Sequence, residues 1–173
     1  MQAKVIELTV AVLFASVASG QSVDRVFRFR DTQTVQGYQE MATVLRTVAG
    51  IRELSVDTAK ASLTVHGAAD QIELAEWLFS ELDQPAGGRK GTPQNGDAHE
   101  YRIPGGRDDL VRVFHLKHVE APRGLQELVT SIRKSAGIQR IFPCDGPRTV
   151  ALRGTSNQIA IAERLINEAD ESK

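Results

Sequence analysis

Val65-His66-Gly67-Ala68-Ala69-Asp70-Gln71-Ile72-Glu73-Leu74-Ala75-Glu76-Trp77-Leu78 and Leu152-Arg153-Gly154-Thr155-Ser156-Asn157-Gln158-Ile159-Ala160-Ile161-Ala162-Glu163-Arg164-Leu165 are one pattern written twice, 87 positions apart. The match extends outward without a gap. Arg25-Val26-Phe27 falls on Arg112-Val113-Phe114, Ala49-Gly50-Ile51 on Ala136-Gly137-Ile138, and Asp83 on Asp170. About a third of the paired positions over roughly sixty residues are identical, and most others set apolar opposite apolar. Chance does not hold such a register, so the chain is an internal duplication and its fold is one small unit made twice.

Each copy reads in the same order. Phe27 and Phe29 alternate with Arg28 and Arg30, as Phe114 and Leu116 alternate with His115 and Lys117. That two-residue period marks a strand with one wet face. Val35, Tyr38, Ala42, Leu45 and Val48, then Leu125, Leu128, Val129, Ile132 and Ala136, recur at helical spacing, with Pro122 suited to a first turn. Gly50 and Gly137 stop these helices. Leu54 and Val56, then Leu63 and Val65, predict two short strands around Thr58-Ala59-Lys60. Ile141, then Val150 and Leu152, do so around Asp145-Gly146-Pro147, which is strong turn chemistry. A last helix starts near Asp70 or Asn157, both good caps, and buries Ile72, Ala75, Leu78, Phe79 and Leu82 or Ile159, Ala162, Leu165, Ile166 and Ala169. The order βαββα predicts an α+β fold, two tandem two-layer sandwiches.

The pattern divides the chain. Residues 24–85 form the first module and 107–171 the second. Between them, 86–106 is rich in Gly, Pro, Asn and Asp and reads as a flexible linker, with Glu100-Tyr101-Arg102-Ile103 as an extra edge strand leading into the second copy. Residues 1–20 have the layout of a secretory signal peptide: Lys4, the apolar run Leu8 to Val17, and Ala18-Ser19-Gly20, with cleavage before Gln21. The competing reading is a buried N-terminal helix or strand, which Glu7 favours. With 173 residues, 41% hydrophobic and 25% charged, a packed core is expected, and a net charge of −1 gives no electrostatic reason to expect a nucleic-acid partner.

The tails of the copies carry a family likeness. Val65-His66-Gly67-Ala68-Ala69-Asp70-Gln71-Ile72 through Leu82-Asp83-Gln84-Pro85 resembles the strand, glycine turn, helix and terminal Leu-Asp-x-Pro of the secretin N-terminal domain family. Leu152-Arg153-Gly154-Thr155-Ser156-Asn157-Gln158-Ile159 is similar to the same turn, with Glu168-Ala169-Asp170 a weaker ending. The resemblance implies a non-enzymatic periplasmic or cell-envelope module that packs beside copies of itself in a ring, in type II or III secretion or type IV pilus machinery. The implied partners are proteins, either itself or a secretion-system component, with membrane association only through them. Secretins continue into a β-rich barrel, whereas this sequence stops at Lys173, so the expectation is an accessory protein, a truncated gene product or a free-standing relative with another role.

Candidate chemistry is sparse. His115 and His118 fall on opposite faces of a strand, and His66 and His99 lie far off, so neither a metal nor another cofactor is expected. Cys144 has no histidine near it in sequence to act as base, and no catalytic set stands out. The βαββα order also resembles KH nucleic-acid domains, but a single helix stands where those domains need a Gly-x-x-Gly loop between two. An exported ligand- or protein-binding domain is the alternative function. Trp77 points away from its helix's apolar stripe. It either lies over a neighbouring element such as the linker or anchors a partner; Leu74 extends such a patch, and Arg164 and Ile161 hold the same places in the second copy.

Overall fold

The computed structural model describes residues 22–84 and 99–171. The signal-peptide reading and most of the linker reading lie outside these residues. The first copy runs β1 (Ser22–Arg28), α1 (Val35–Val44), a π-helical turn (Leu45–Ala49), β2 (Glu53–Asp57), β3 (Ser62–Ala68) and α2 (Ala69–Leu82). The second runs β4 (His99–Arg102), β5 (Leu110–His115), α3 (Arg123–Ala136), β6 (Arg140–Cys144), β7 (Thr149–Gly154) and α4 (Ser156–Glu171). The fold is α+β with two antiparallel sheets, ordered β1-β3-β2 and β4-β5-β7-β6.

The repeated identities are locks that hold the elements together. The Asp83 carboxylate accepts from the backbone N–H groups of Arg30 at 2.8 Å, Asp31 at 3.3 Å and Thr32 at 2.8 Å, fixing the loop from β1 into α1. Asp170 does the same for Lys117, His118 and Val119, each 87 positions further on. Gln71 accepts from Ala68 N–H and donates to the Gly50 carbonyl. Gln158 accepts from Thr155 N–H and donates to Gly137. These glutamines cross the glycine turns: a Cβ on Gly67 or Gly154 would come within 3.0 or 2.9 Å of the glutamine oxygen. Gly50 and Gly137 take φ of +74° and +68°, which glycine adopts without steric cost. The third lock is an ion pair, Arg25 to Glu76 in the first copy and Arg112 to Glu163 in the second.

The last helices start one residue before the expected caps. Ala68 and Thr155 precede them, and Asp70 and Asn157 sit inside the first turn. Gln71 and Gln158 instead reach back across the turn and accept from the N–H of the residue before each helix, Ala68 and Thr155, as the N3 side chain of a capping box does. On α4, Thr155 and Asp108 add side-chain bonds, from Gln158 N–H and Ser156 N–H respectively.

The copies stack as four layers: first sheet, α1 with α2, second sheet, α3 with α4. The α1–α2 layer therefore has two faces to bury. Tyr38, Ala42, Leu45, Ile72, Ala75, Leu78, Phe79 and Leu82 are all buried. Phe27 stacks on Phe79 and Phe29 on Tyr38. The same buried cluster runs on into Val111, Val113, Cys144 and Ala151 of the second sheet. The second copy's own core, on the other side of that sheet, holds Leu110, Phe114, Ile141, Val150 and Leu152 against α3 and α4.

Candidate interaction surfaces

The first surface to place is the one expected to meet a partner. Leu74, Trp77 and Glu81 lie at i, i+3 and i+7 on α2, opposite its stripe. That face meets β4. The Trp77 ring sits 5.5 Å from the Tyr101 ring, and Glu81 binds His99. Leu74 is 2% exposed, so it is no part of an open patch; the second copy's sheet has removed it from solvent. Trp77 is part-buried against the same cluster, over a strand that the sequence reading had inside the linker. Ile161 and Arg164 are not brought near them. Ile161 packs on the second copy's core from the side, and Arg164 is exposed on α4.

Polar contacts close the rim of this internal joint. Glu40 accepts from the Asp145 N–H at 3.1 Å, and Arg153, held by Asp109 at 2.8 Å, reaches the Val48 carbonyl at 3.4 Å. An apolar centre with a polar rim is the build of a stable interface. Cys144 lies within it, 3% exposed, and burial pushes its thiol far above the usual range, so it is a poor nucleophile. Burial likewise pushes the Tyr101 phenol up.

The histidines divide in a way their spacing hid. His99 and His115, sixteen positions apart, come within 6.3 Å of each other, ring to ring, because β4 and β5 pair. Burial holds His115 below its ordinary value. Among the described residues no group of three metal-binding side chains forms. His66 lies on the open face of the first sheet between Asp24 at 2.7 Å and Glu53 at 3.9 Å, and the hydrogen bond to Asp24 raises it. The register sets Asp24, His66 and Glu53 in one row across three strands.

The joint is not repeated on the outer faces of the stack. Where the second sheet presents Val111, Phe142, Cys144 and Ala151 to the first copy's helices, the first sheet has Asp24, Ser55, Asp57 and Thr64. Where α1 and the π-helical turn after it bury Val44 and Val48 completely, α3 has Ser131 and Ser135, both exposed. Polar replacement at both ends is how a stacked repeat stops. This signal was present in the sequence, as the apolar-to-polar changes between copies.

A cavity of about 490 Å³ opens beside the joint. Thr32, Gly37, Glu40 and Met41 line one side, and Cys144, Asp145 and Pro147 the other.

No protein-family model matches the chain, and no curated protein matches its sequence. Its structure is similar to several solved ones. Against the secretin GspD in the pilotin–secretin AspS–GspD complex of ETEC, identity is 16%, the TM-score is 0.31, and the match covers 87% of this chain and 25% of that one. Against the N-terminal domain of the secretin XcpQ from Pseudomonas aeruginosa, the values are 12% and 0.34, over 84% and 62%. Against Dim2p from Pyrococcus horikoshii OT3 they are 13% and 0.37, over 87% and 93%. The chain thus spans a quarter of one secretin structure and under two thirds of the other. No helix of the described residues is long and apolar enough to cross a membrane.

Proposed function

We propose that this protein is a non-enzymatic interaction module of a cell-envelope assembly, exported to the periplasm and working through protein partners. The observation that carries the reading is the joint between the copies. The apolar cluster shared by α1, α2 and the second sheet makes two small modules into one stiff block. A module of about sixty residues is marginal alone, and the joint gives each a second buried face. A block of this kind suits load-sharing and positioning. The sequence resemblance to secretin N-terminal domains supplies the compartment and the class of assembly.

The test is fractionation with intact-mass measurement, then crosslinking of the envelope fraction. The expected result is a chain lacking its first twenty or so residues, crosslinked to itself or to a secretion-system protein. A full-length chain confined to the cytosol would defeat the proposal. The cavity beside Glu40 and Cys144 favours a second reading, binding of a small ligand, because its volume falls in the range of small-molecule sites. A screen in which a compound raises Tm for the wild type but not for Gly37→Leu, itself shown to be folded, would support it.

A further inference from the structure

We propose that the outer edge of β1 docks an extended segment of a partner protein, which adds a fourth strand antiparallel to β1 and sets one carboxylate beside Arg25. The inference rests on the two-copy geometry and stands apart from the envelope assignment. The second sheet has four strands and the first has three, among the described residues. The extra strand is β4, and it pairs with β5, which is the copy of β1. Its register sets His99 opposite Val113, Glu100 opposite Arg112, Tyr101 opposite Val111 and Arg102 opposite Leu110. Moved back by 87 positions, the same register faces Val26, Arg25, Asp24 and Val23.

Two observations show what that edge lacks. The first is apolar. Val23 is 40% exposed and Val26 is 56% exposed; with Val35 they are the large hydrophobic residues left most open among the described residues, and both lie on β1. A seven-residue edge strand with exposed valines is what proteins normally cover or blunt. The second is electrostatic. Arg112 is held between two carboxylates, Glu163 at 2.7 Å and Glu100 of β4 at 3.3 Å, and its side chain is 22% exposed. Among the described residues Arg25 has the first alone, Glu76, and its side chain is 56% exposed. Among the described residues, nothing fills in the first copy the place that Glu100 takes in the second. Arg28, exposed on the same strand, adds positive charge. Backbone pairing would supply affinity, and a carboxylate opposite Arg25 would set the register.

The probe is a labelled peptide of residues 98–104, Ala-His-Glu-Tyr-Arg-Ile-Pro, titrated into the full chain and followed by fluorescence anisotropy and by hydrogen exchange of β1. We expect saturable binding that slows exchange at Val23 to Val26. Replacing the peptide's Glu by Lys should weaken binding about fivefold to tenfold, the range for a cross-strand charge pair turned from attraction to repulsion. The Arg25→Glu chain, shown by its melt to be folded, should prefer the Lys peptide. That exchange of preference separates β1 from β5, whose edge keeps Arg112. Four results would overturn the proposal. They are no binding, binding indifferent to the charge exchange, β1 amides already as protected as those of β3 in the free chain, and protection that rises with chain concentration without peptide. The third would mean that the chain's own N-terminal residues occupy the edge, and the fourth that a second copy does.

Discussion

On α2, Leu74 is buried and Trp77 lies over Tyr101; at the same places on α4, Ile161 is half-covered and Arg164 stands in solvent. Val44 at the end of α1 and Val48 in the π-helical turn after it are fully buried, while Ser131 and Ser135 on α3 are exposed. The inward stripes of the four helices are alike, so the two copies fold by the same rules. The outward faces differ because one helical layer is inside the stack and the other is at its end. A duplicated unit therefore records its position in the sequence of its second face, after its first face has recorded the fold.

The comparison breaks most readily at its apolar centre. Leu74→Ala should cost about 3 kcal/mol, as for other wholly buried leucines, and Ile161→Ala about 1 kcal/mol, because its neighbours cover it on one side only. Urea unfolding of both variants checks this. Equal losses would mean that the joint adds nothing to stability and that the copies merely touch. Next comes Trp77→Ala, with an expected loss of about 2 kcal/mol for a part-buried aromatic against less than 0.5 kcal/mol for Arg164→Ala. This is the outcome expected of a tryptophan that lies over a neighbouring element and not of one that anchors an outside partner. Sedimentation velocity of Trp77→Ala should match wild type. A loss of self-association at unchanged stability would restore the outside role.

The Asp83 and Asp170 locks sharpen the comparison at constant chemistry. Each carboxylate accepts three backbone N–H groups, but Asp83 is 5% exposed and Asp170 is only partly covered. Truncation leaves three N–H groups without their acceptor, part-buried at Asp83 and mostly exposed at Asp170, so Asp83→Ala should cost about 3 kcal/mol and Asp170→Ala about 1.5 kcal/mol. Thermal melts of the two variants measure the difference. An equal loss would show that the loop, once freed, finds water as easily in either copy.

What was legible in the sequence follows the same division. Every strand and helix of the repeat could be read because alternation and helical spacing act within a few residues, and the second copy confirmed each reading. The extra strand was readable at Glu100 to Ile103 because Tyr101 and Ile103 alternate with charged residues. The docking of the copies was not, because Trp77 meets Tyr101 across a stretch whose glycines and prolines suggest freedom. The ion pairs were hidden for a related reason. Arg25 and Glu76 are repeated as Arg112 and Glu163, yet periodicity says nothing of which polar residues on facing elements meet. Their exact repetition was the available signal, and it also exposes what differs between them, the third member Glu100.

The smallest expected effect concerns protons. His115 occupies the place that Arg28 holds in the first copy, but the stack covers it while Arg28 remains in solvent. Burial is the main cause that lowers the His115 value, and the nearby His99 acts in the same sense, while Glu81 on α2 opposes them. The unfolded chain takes up a proton at this residue near pH 6.5, before the folded chain does. As pH falls through and below that value, the unfolded state binds more protons and stability declines. His66 works in the opposite direction. Its hydrogen bond to Asp24 raises it, so its contribution is present below the unfolded value and fades as pH rises through the higher folded one, and its exposure keeps that contribution small. Melts at pH 7.5 and 5.5 on wild type, His115→Gln and His66→Gln separate the two. The His115→Gln chain should lose less Tm on acidification than wild type, and the His66→Gln chain more. Equal losses in wild type and His115→Gln would mean that the space between β5 and α2 admits water freely, and that the joint is open at this corner.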